Sequence, residues 1–390
     1  MTERVLVGNV LLLKRREVAI NPDAEYSLIG VYSFGKGIFH RDPKPGAELG
    51  GYRFFAVKPG DLVLSNIQAW EGAIARAGEQ DAGTIGTHRF LTYVPRDEES
   101  IDTRWARWFF LSEPGMRLIR SAAPGTIMRN RTLAIDRFEA LEIPLPPIDE
   151  QRRVAARLDR IAAAAGELRR RCEYASTLSD ALAVSIASRP DLSDAAKKAS
   201  GWRRVRLGSA MQPAIERVTV EAGESYPNVG VYSFGRGLFE KSEIAGASTS
   251  AATLNRIRAG QFIYSRLFAF EGAYTYVATE FDGSYVSNEF PAFDIDPEQL
   301  DARWLATFLR SPQRWAELGG RSKGLGVRRQ RVPVEAVVAY KVWLPPITMQ
   351  HAMVRAIDRV EKATAMRGVA NERIDALLLA ALNEAFSALS

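Results

Sequence analysis

Three stretches of the chain hold residue types that could do chemistry. Gly30-Val31-Tyr32-Ser33-Phe34-Gly35-Lys36 has the spacing of a Walker loop, whose backbone and lysine cradle phosphates while a following Ser or Thr holds magnesium. Position 37 is Gly, so the magnesium hydroxyl is missing, and a second copy of the motif carries Arg236 in place of the lysine. Phe34-Gly35-Lys36-Gly37 also has the look of a methyltransferase cofactor loop. Adenine methylation further needs an Asn/Asp-Pro-Pro-aromatic motif for the flipped base, and the nearest stretch, Asn21-Pro22-Asp23, lacks the second proline and the aromatic. Pro190-Asp191 with Lys197-Lys198 resembles a nuclease fragment but lies in a polar stretch that reads as linker. A single cysteine, Cys172, and three scattered histidines, His40, His88 and His351, exclude a disulfide framework within the chain and argue against a structural metal. With no nucleophile–base pair or metal-ligand set, the expectation is a binding protein without catalysis, cofactor or metal.

The elements that would position these residues come twice. Ile29-Gly30-Val31-Tyr32-Ser33-Phe34-Gly35-Lys36-Gly37-Ile38-Phe39 returns as Val229-Gly230-Val231-Tyr232-Ser233-Phe234-Gly235-Arg236-Gly237-Leu238-Phe239. Trp70-Glu71-Gly72-Ala73 matches Phe270-Glu271-Gly272-Ala273, and Asp102-Thr103-Arg104-Trp105 matches Asp301-Ala302-Arg303-Trp304. Leu145-Pro146-Pro147-Ile148 and Gln151 match Leu344-Pro345-Pro346-Ile347 and Gln350. A period this long means two homologous domains, not a solenoid.

Each repeat has two parts. The first is rich in Gly, Pro and aromatics. Phe54–Val57, Leu62–Leu64 and Phe90–Val94 read as strands bounded by turn signals, and Val7–Arg16 and Thr103–Leu111 as helices, which makes the class mixed α/β. The second part is a long helix opening after Pro146-Pro147, with Asp149 or Glu150 suited to its N-terminus. Its apolar seam is Val154, Leu158, Ile161, Ala165, Leu168, Cys172, Ala175, Leu182 and Ile186, and Ser188-Arg189-Pro190-Asp191 stops it. The second repeat follows with Met353, Ile357, Val360, Ile374, Leu377, Leu378, Leu382 and Phe386. A helix from Asp149 to Ile186 would be about 57 Å long at about 1.5 Å per residue, the dimension of a spacer.

Composition sets the class of partner. Hydrophobic residues at 46% and charged residues at 25% describe a soluble globular chain, and a net charge of +6 with pI near 9.4 favours a polyanion. The apolar run Val5–Leu13 precedes Lys14-Arg15-Arg16, the reverse of a signal peptide, and no stretch is long enough to span a membrane. A cytoplasmic protein is expected.

Pro144-Leu145-Pro146-Pro147-Ile148-Asp149-Glu150-Gln151, followed by Val154 and Leu158, resembles the signature that opens each spacer helix in specificity subunits of type I restriction-modification systems. The second copy departs from it, with Trp343-Leu344-Pro345-Pro346 and Met349-Gln350. The resemblance covers essentially the whole chain. It implies an α/β (α+β) fold of two homologous target-recognition domains separated by two long antiparallel coiled-coil helices with pseudo-two-fold symmetry. The corresponding boundaries are a first recognition domain at 1–148, a spacer helix at 149–188, a linker at 189–202, a second recognition domain at 203–347 and a second spacer helix at 348–389. It further implies a bipartite double-stranded DNA target read one half per domain. The implied partners are two methyltransferase subunits that bind S-adenosylmethionine and two motor-nuclease subunits. From the residues alone, a stand-alone nucleic-acid-binding regulator and an enzyme acting on nucleic acid are the competing classes.

Comparing the repeats nominates the DNA-contacting residues. Shared positions should carry scaffold roles, so the Val-Tyr-Ser-Phe-Gly block reads as a structural loop with Tyr and Phe filling the core beneath, and Lys36 and Arg236 as phosphate contacts. Positions that differ should read different half-sites. Asn66 and Gln68 suit adenine edges, and Arg266, opposite them, suits guanine. His88 and Arg89 stand opposite Asn288 in the same way. A third set is basic and turn-rich: Arg129, Asn130 and Arg131 in one repeat, and Arg321, Lys323, Arg328, Arg329, Gln330 and Arg331 in the other.

Overall fold

The computed structural model describes residues 3–125, 131–319 and 331–387. Two compact units emerge, one from Met1–Arg170 with Ala370–Ser390, the other from Arg171–Val369. The class is mixed α/β, and each unit combines mostly antiparallel sheets with short helices and part of both long helices.

In the first unit a four-stranded antiparallel sheet runs Ile74–Arg76, Leu62–Ser65, Phe90–Pro95, Leu11–Leu13. All four residues of Leu62–Ser65 are buried because the strand's alternation serves two cores at once. Leu62 and Leu64 face the large core with Leu91 and Trp105, while Val63 faces a smaller one with Val31, Ala73 and Ala75. The second unit repeats this. Phe262 and Tyr264 belong to its large core and Ile263 to its smaller one, in a sheet ordered Met211–Ala214, Ala292–Ile295, Phe262–Tyr264, Tyr274–Tyr276.

The helix expected over Val7–Arg16 is corrected. Only Val7–Val10 forms a helical turn, and Leu11–Leu13 is a strand paired with Tyr93–Pro95. Consecutive apolar residues fit either structure, and the open edge of Phe90–Pro95 decides for the strand. Helix Thr103–Leu111 forms as expected, capped by Asp102, whose Oδ1 accepts from the Arg104 N–H at 2.7 Å. Burial would raise the Asp102 carboxyl, but its hydrogen bonds with Arg104 outweigh that and hold it below the ordinary carboxylate value. In the second unit Asp301 caps Ala302–Phe308 in the same manner.

The long helices span Ile148–Ser188 and Ile347–Ser387. In the first unit Phe386 of the second helix lies fully buried, with its ring 5.9 Å from Trp105 and 5.8 Å from Phe109, and Arg157 pairs with Glu384 at 3.0 Å. In the second unit Ala183 and Ala187 of the first helix join the core that holds Met353 and Ile357, and Trp304 Nε1 donates to the Ala187 carbonyl at 3.2 Å. Each core thus takes in a helix end contributed by the other repeat. The seam differs from expectation in the first helix. Leu158 and Ala165 are buried, but Leu168 and Leu182 are 48% and 49% exposed. In the first unit the helix contributes Val154, Ala155, Leu158, Ala162 and Ala165 to the core. Leu377 of the second helix is likewise 67% exposed. The helix stops at Ser188, where Arg189 takes a left-handed φ of 44° before Pro190. Within the polar stretch that follows, Ser193 caps one short helix, Asp194–Ala199.

Gln151 and Gln350 are fully buried, each one turn into its long helix. Gln151 Oε1 accepts from the Asp102 N–H at 3.0 Å, and its Nε2 donates to the carbonyls of Ser100 at 3.1 Å and Pro146 at 2.8 Å. Gln350 does the same with Asp301 at 2.9 Å and with Gln299 and Pro345, both at 2.8 Å. Truncating either to Ala strands one buried donor and two acceptors. Gln151→Ala and Gln350→Ala should each cost about 2–4 kcal/mol of stability, read as a fall in urea midpoint. A loss under about 0.5 kcal/mol would mean that water replaces the amide without penalty.

Candidate nucleic-acid interface

In each unit the shared loop is a tight excursion between two paired strands, Ile29–Val31 with Ile38–His40 and the corresponding part of Ser225–Val231 with Leu238–Ala245. Gly30 and Gly230 are required here, because a Cβ would fall 2.1 Å and 2.5 Å from the rings of Phe39 and Phe239. The loop closes on itself through Tyr32 N–H to the Gly37 carbonyl at 3.0 Å and Tyr232 N–H to the Gly237 carbonyl at 2.9 Å.

The Glu-Gly pair of the other shared motif holds it from outside. Phe34 N–H donates to the Glu71 carbonyl at 2.9 Å, and Gly35 N–H to the Gly72 carbonyl at 2.8 Å. Ser33 Oγ reaches Glu71 Oε2 at 3.2 Å. The second unit has the same three bonds, Phe234 and Gly235 N–H to Glu271 and Gly272 at 2.8 Å each, and Ser233 Oγ to Glu271 at 3.1 Å. Beneath the first loop, Arg107 donates to the Gly35 carbonyl at 3.1 Å, and burial draws its guanidinium below the usual value.

The loop's aromatics correct the expectation that they fill the core. Tyr32 and Tyr232 are exposed, each stacked on the phenylalanine across the hairpin at 4.3 Å and 4.1 Å. Phe34 and Phe234 are more exposed still. The chain reverses at that residue, and the reversal turns the ring outward.

In the first unit Tyr32, Phe34, Lys36, Gln68, His88 and Arg89 line one concavity of about 650 Å³. Lys36, Gln68, His88 and Arg89 are all exposed, so four of the nominated residues converge. Arg41 and Tyr52 line the same concavity and were missed, because neither lies in a repeated block. The backbone of the Thr87–Arg89 turn is steadied by Arg15, which donates to the His88 carbonyl and whose guanidinium burial lowers below the usual value.

Asn66 and Arg266 occupy equivalent buttress positions. Asn66 N–H donates to the Arg89 carbonyl at 2.8 Å and its carbonyl accepts from Leu133 at 2.7 Å; Arg266 does the same with Glu289 at 2.9 Å and Val332 at 3.0 Å. Both are half-buried, with Asn66 Oδ1 and Arg266 Nε enclosed and without a hydrogen-bond partner among the described residues. Their backbones brace the loops, and Asn66 also lines a concavity with Gln68, His88 and Arg89. Asn288 is exposed, with its Oδ1 taken by Asn255 Nδ2 at 3.1 Å. Arg236 is exposed and lies over Tyr232 at 4.9 Å and Phe234 at 5.8 Å. Arg131 stacks on Trp70 at 5.3 Å and donates to the Gly125 carbonyl. Arg331 is bound by Glu289 at 3.1 Å, a side-chain hydrogen bond that raises its value further. Arg129, Asn130, Arg321, Lys323, Arg328, Arg329 and Gln330 lie outside the described residues. Among the described residues no group of three His, Cys, Asp or Glu could hold a metal ion.

No known family profile and no curated protein matches the chain. Solved structures do. The HsdS subunit from Thermoanaerobacter tengcongensis is 19% identical, with a TM-score of 0.50 over 98% of this chain and 96% of that one. A structure from a study of complex assembly and conformational transition of the type I R-M system is 18% identical, with a TM-score of 0.65 over 98% and 97%. The fold is that of a type I specificity subunit.

On this specificity-subunit fold the two repeats present the same braced loop with different flanking side chains. Charge also differs between them, since Glu289 occupies Arg331 in the second unit while Arg89 is exposed at the matching place in the first. Glu289→Gln should release Arg331 and steepen the salt dependence of DNA binding by about one charge in a log–log plot. An unchanged slope would place Arg331 away from the nucleic acid.

Proposed function

We propose that this chain is the specificity subunit of a type I restriction-modification enzyme. It reads a bipartite double-stranded DNA target, one half-site per recognition domain, with residues 1–148 and 203–347 as the readers. The helices at 149–188 and 348–389 are the spacers and 189–202 is the linker. The subunit scaffolds two methyltransferase subunits, which bind S-adenosylmethionine, and two motor-nuclease subunits, and itself carries no catalysis. Its place of action is the cytoplasm. The observation that carries this reading is the end-to-end fold match to an HsdS subunit, over 98% of this chain and 96% of that one.

Physical features support it. Two tethered readers gain avidity without either binding tightly, and half-sites on one side of B-DNA repeat about every 34 Å. The cations Lys36, Arg41 and Arg89 around the concavity of the first unit suit a polyanion. In the second unit Tyr174, Leu178 and Leu182 form an exposed apolar stripe at four-residue spacing along the first long helix, a surface on which a partner helix can lie. Among the described residues no helix is long and apolar enough to cross a membrane.

Co-expression with a type I methyltransferase subunit, followed by genome-wide mapping of methylated adenines, tests the proposal. The expected result is a split motif with a fixed gap, of which exchanging residues 1–148 alters one half only. Absence of a motif, with DNA binding retained by the chain alone, would favour a stand-alone regulator. Methyl transfer by the purified chain without partners would overturn the non-catalytic reading.

A further inference from the structure

Phe34 and Phe234 adopt φ of 62° and 64°, the left-handed region that non-glycine residues avoid. The residues are 76% and 58% exposed, Phe34 without a ring neighbour among the described residues and Phe234 with Trp315 at 5.9 Å on one side only. Glycine or asparagine would hold the same turn with less strain, and Gly35 and Gly37 already supply positive φ beside it. Both repeats nevertheless keep a phenylalanine. Strain held at an exposed residue, twice, points to a role outside folding.

We propose that Phe34 and Phe234 are wedges, each ring stacking on a base at one step of its half-site and locally opening the duplex there. This deepens the specificity-subunit reading and rests on it. An aromatic ring has no hydrogen bond to give a phosphate, but it can stack on any base, because every base has a π-face. A sequence-tolerant contact explains why the same residue serves two repeats whose neighbouring polar residues differ. Wedge residues in DNA-binding proteins are apolar and sit among cations that hold the backbone. Here the cation stands two residues on, Lys36 in one loop and Arg236 in the other, both exposed. Around Phe34 the cations Lys36, Arg41 and Arg89 ring a mainly apolar lining, a match for a base flanked by phosphates, while Phe234 lines a concavity with Arg236, Arg310, Glu280 and Glu361. The paired bonds to Glu71–Gly72 and Glu271–Gly272, with the serine–glutamate bond beside them, hold the ring out before DNA arrives.

The test uses the assembled methyltransferase complex and duplexes of the mapped target carrying 2-aminopurine at successive steps. Wild type should brighten one step in each half-site. Phe34→Gly should abolish the signal in the first half only, raise Kd tenfold or more, and leave the chain's Tm unchanged or higher, because the turn is relieved. Phe234→Gly should do the same for the second half, and Phe34→Trp should keep the affinity and lose indole fluorescence on binding. Phe34→Gly with unchanged Kd, or with a Tm lowered in step with affinity, would overturn the wedge. Loss of assembly with the methyltransferase subunits before any DNA is added would also overturn it and assign the ring to a protein contact. If wild type itself shows no target selectivity, the specificity reading fails; if wild type is selective and the variants are indistinguishable from it, only the wedge fails.

Discussion

Where each long helix begins, three backbone groups from two loops must be satisfied without water. Gln151 and Gln350 do this with one side chain each, accepting from the N–H of the residue that caps an earlier short helix and donating to two carbonyls. A buried amide of this kind is costly when half-made and directional when complete. It therefore fixes the angle between helix and domain. The cap residues Asp102 and Asp301 orient the helices that carry Trp105 and Trp304, and those rings build the two large cores.

The cores in turn explain why each unit needs both long helices. Phe386 completes the aromatic cluster of the first unit, and Ala187 accepts the indole N–H of Trp304 in the second. A repeat cut out at its sequence boundaries would lose that wall. The duplicated sequence thus folds as two compact units, each taking in part of both long helices, a division that suits a protein whose proposed task is to hold two readers on one DNA.

Rigidity in the core contrasts with strain at the surface. The two loops keep an exposed phenylalanine in an unfavourable backbone conformation, braced by the Glu-Gly motif some forty residues on. That motif was visible in the sequence as a repeat, but its task of holding the loop was not. The same limit applies to Asn66 and Arg266. Residue type suggests base readout, and only the structure adds that their backbones tie three loops together.

What the sequence determined by itself was the duplication, the mixed α/β class, the helix Thr103–Leu111, the strands at Phe54, Leu62 and Phe90, and the two long helices. All of these follow from periodicity, capping and repetition, which are properties of neighbours along the chain. Tertiary structure decided the rest. Leu11–Leu13 became a strand because an edge was open to it, and Leu168 and Leu182 stayed exposed although they continue the apolar seam. The rings of Phe34 and Phe234 turned outward because a distant Glu-Gly pair fixed the reversal. For the strand and the rings the deciding partner lies far away in sequence, and local pattern carries no information about which distant surface a residue will meet.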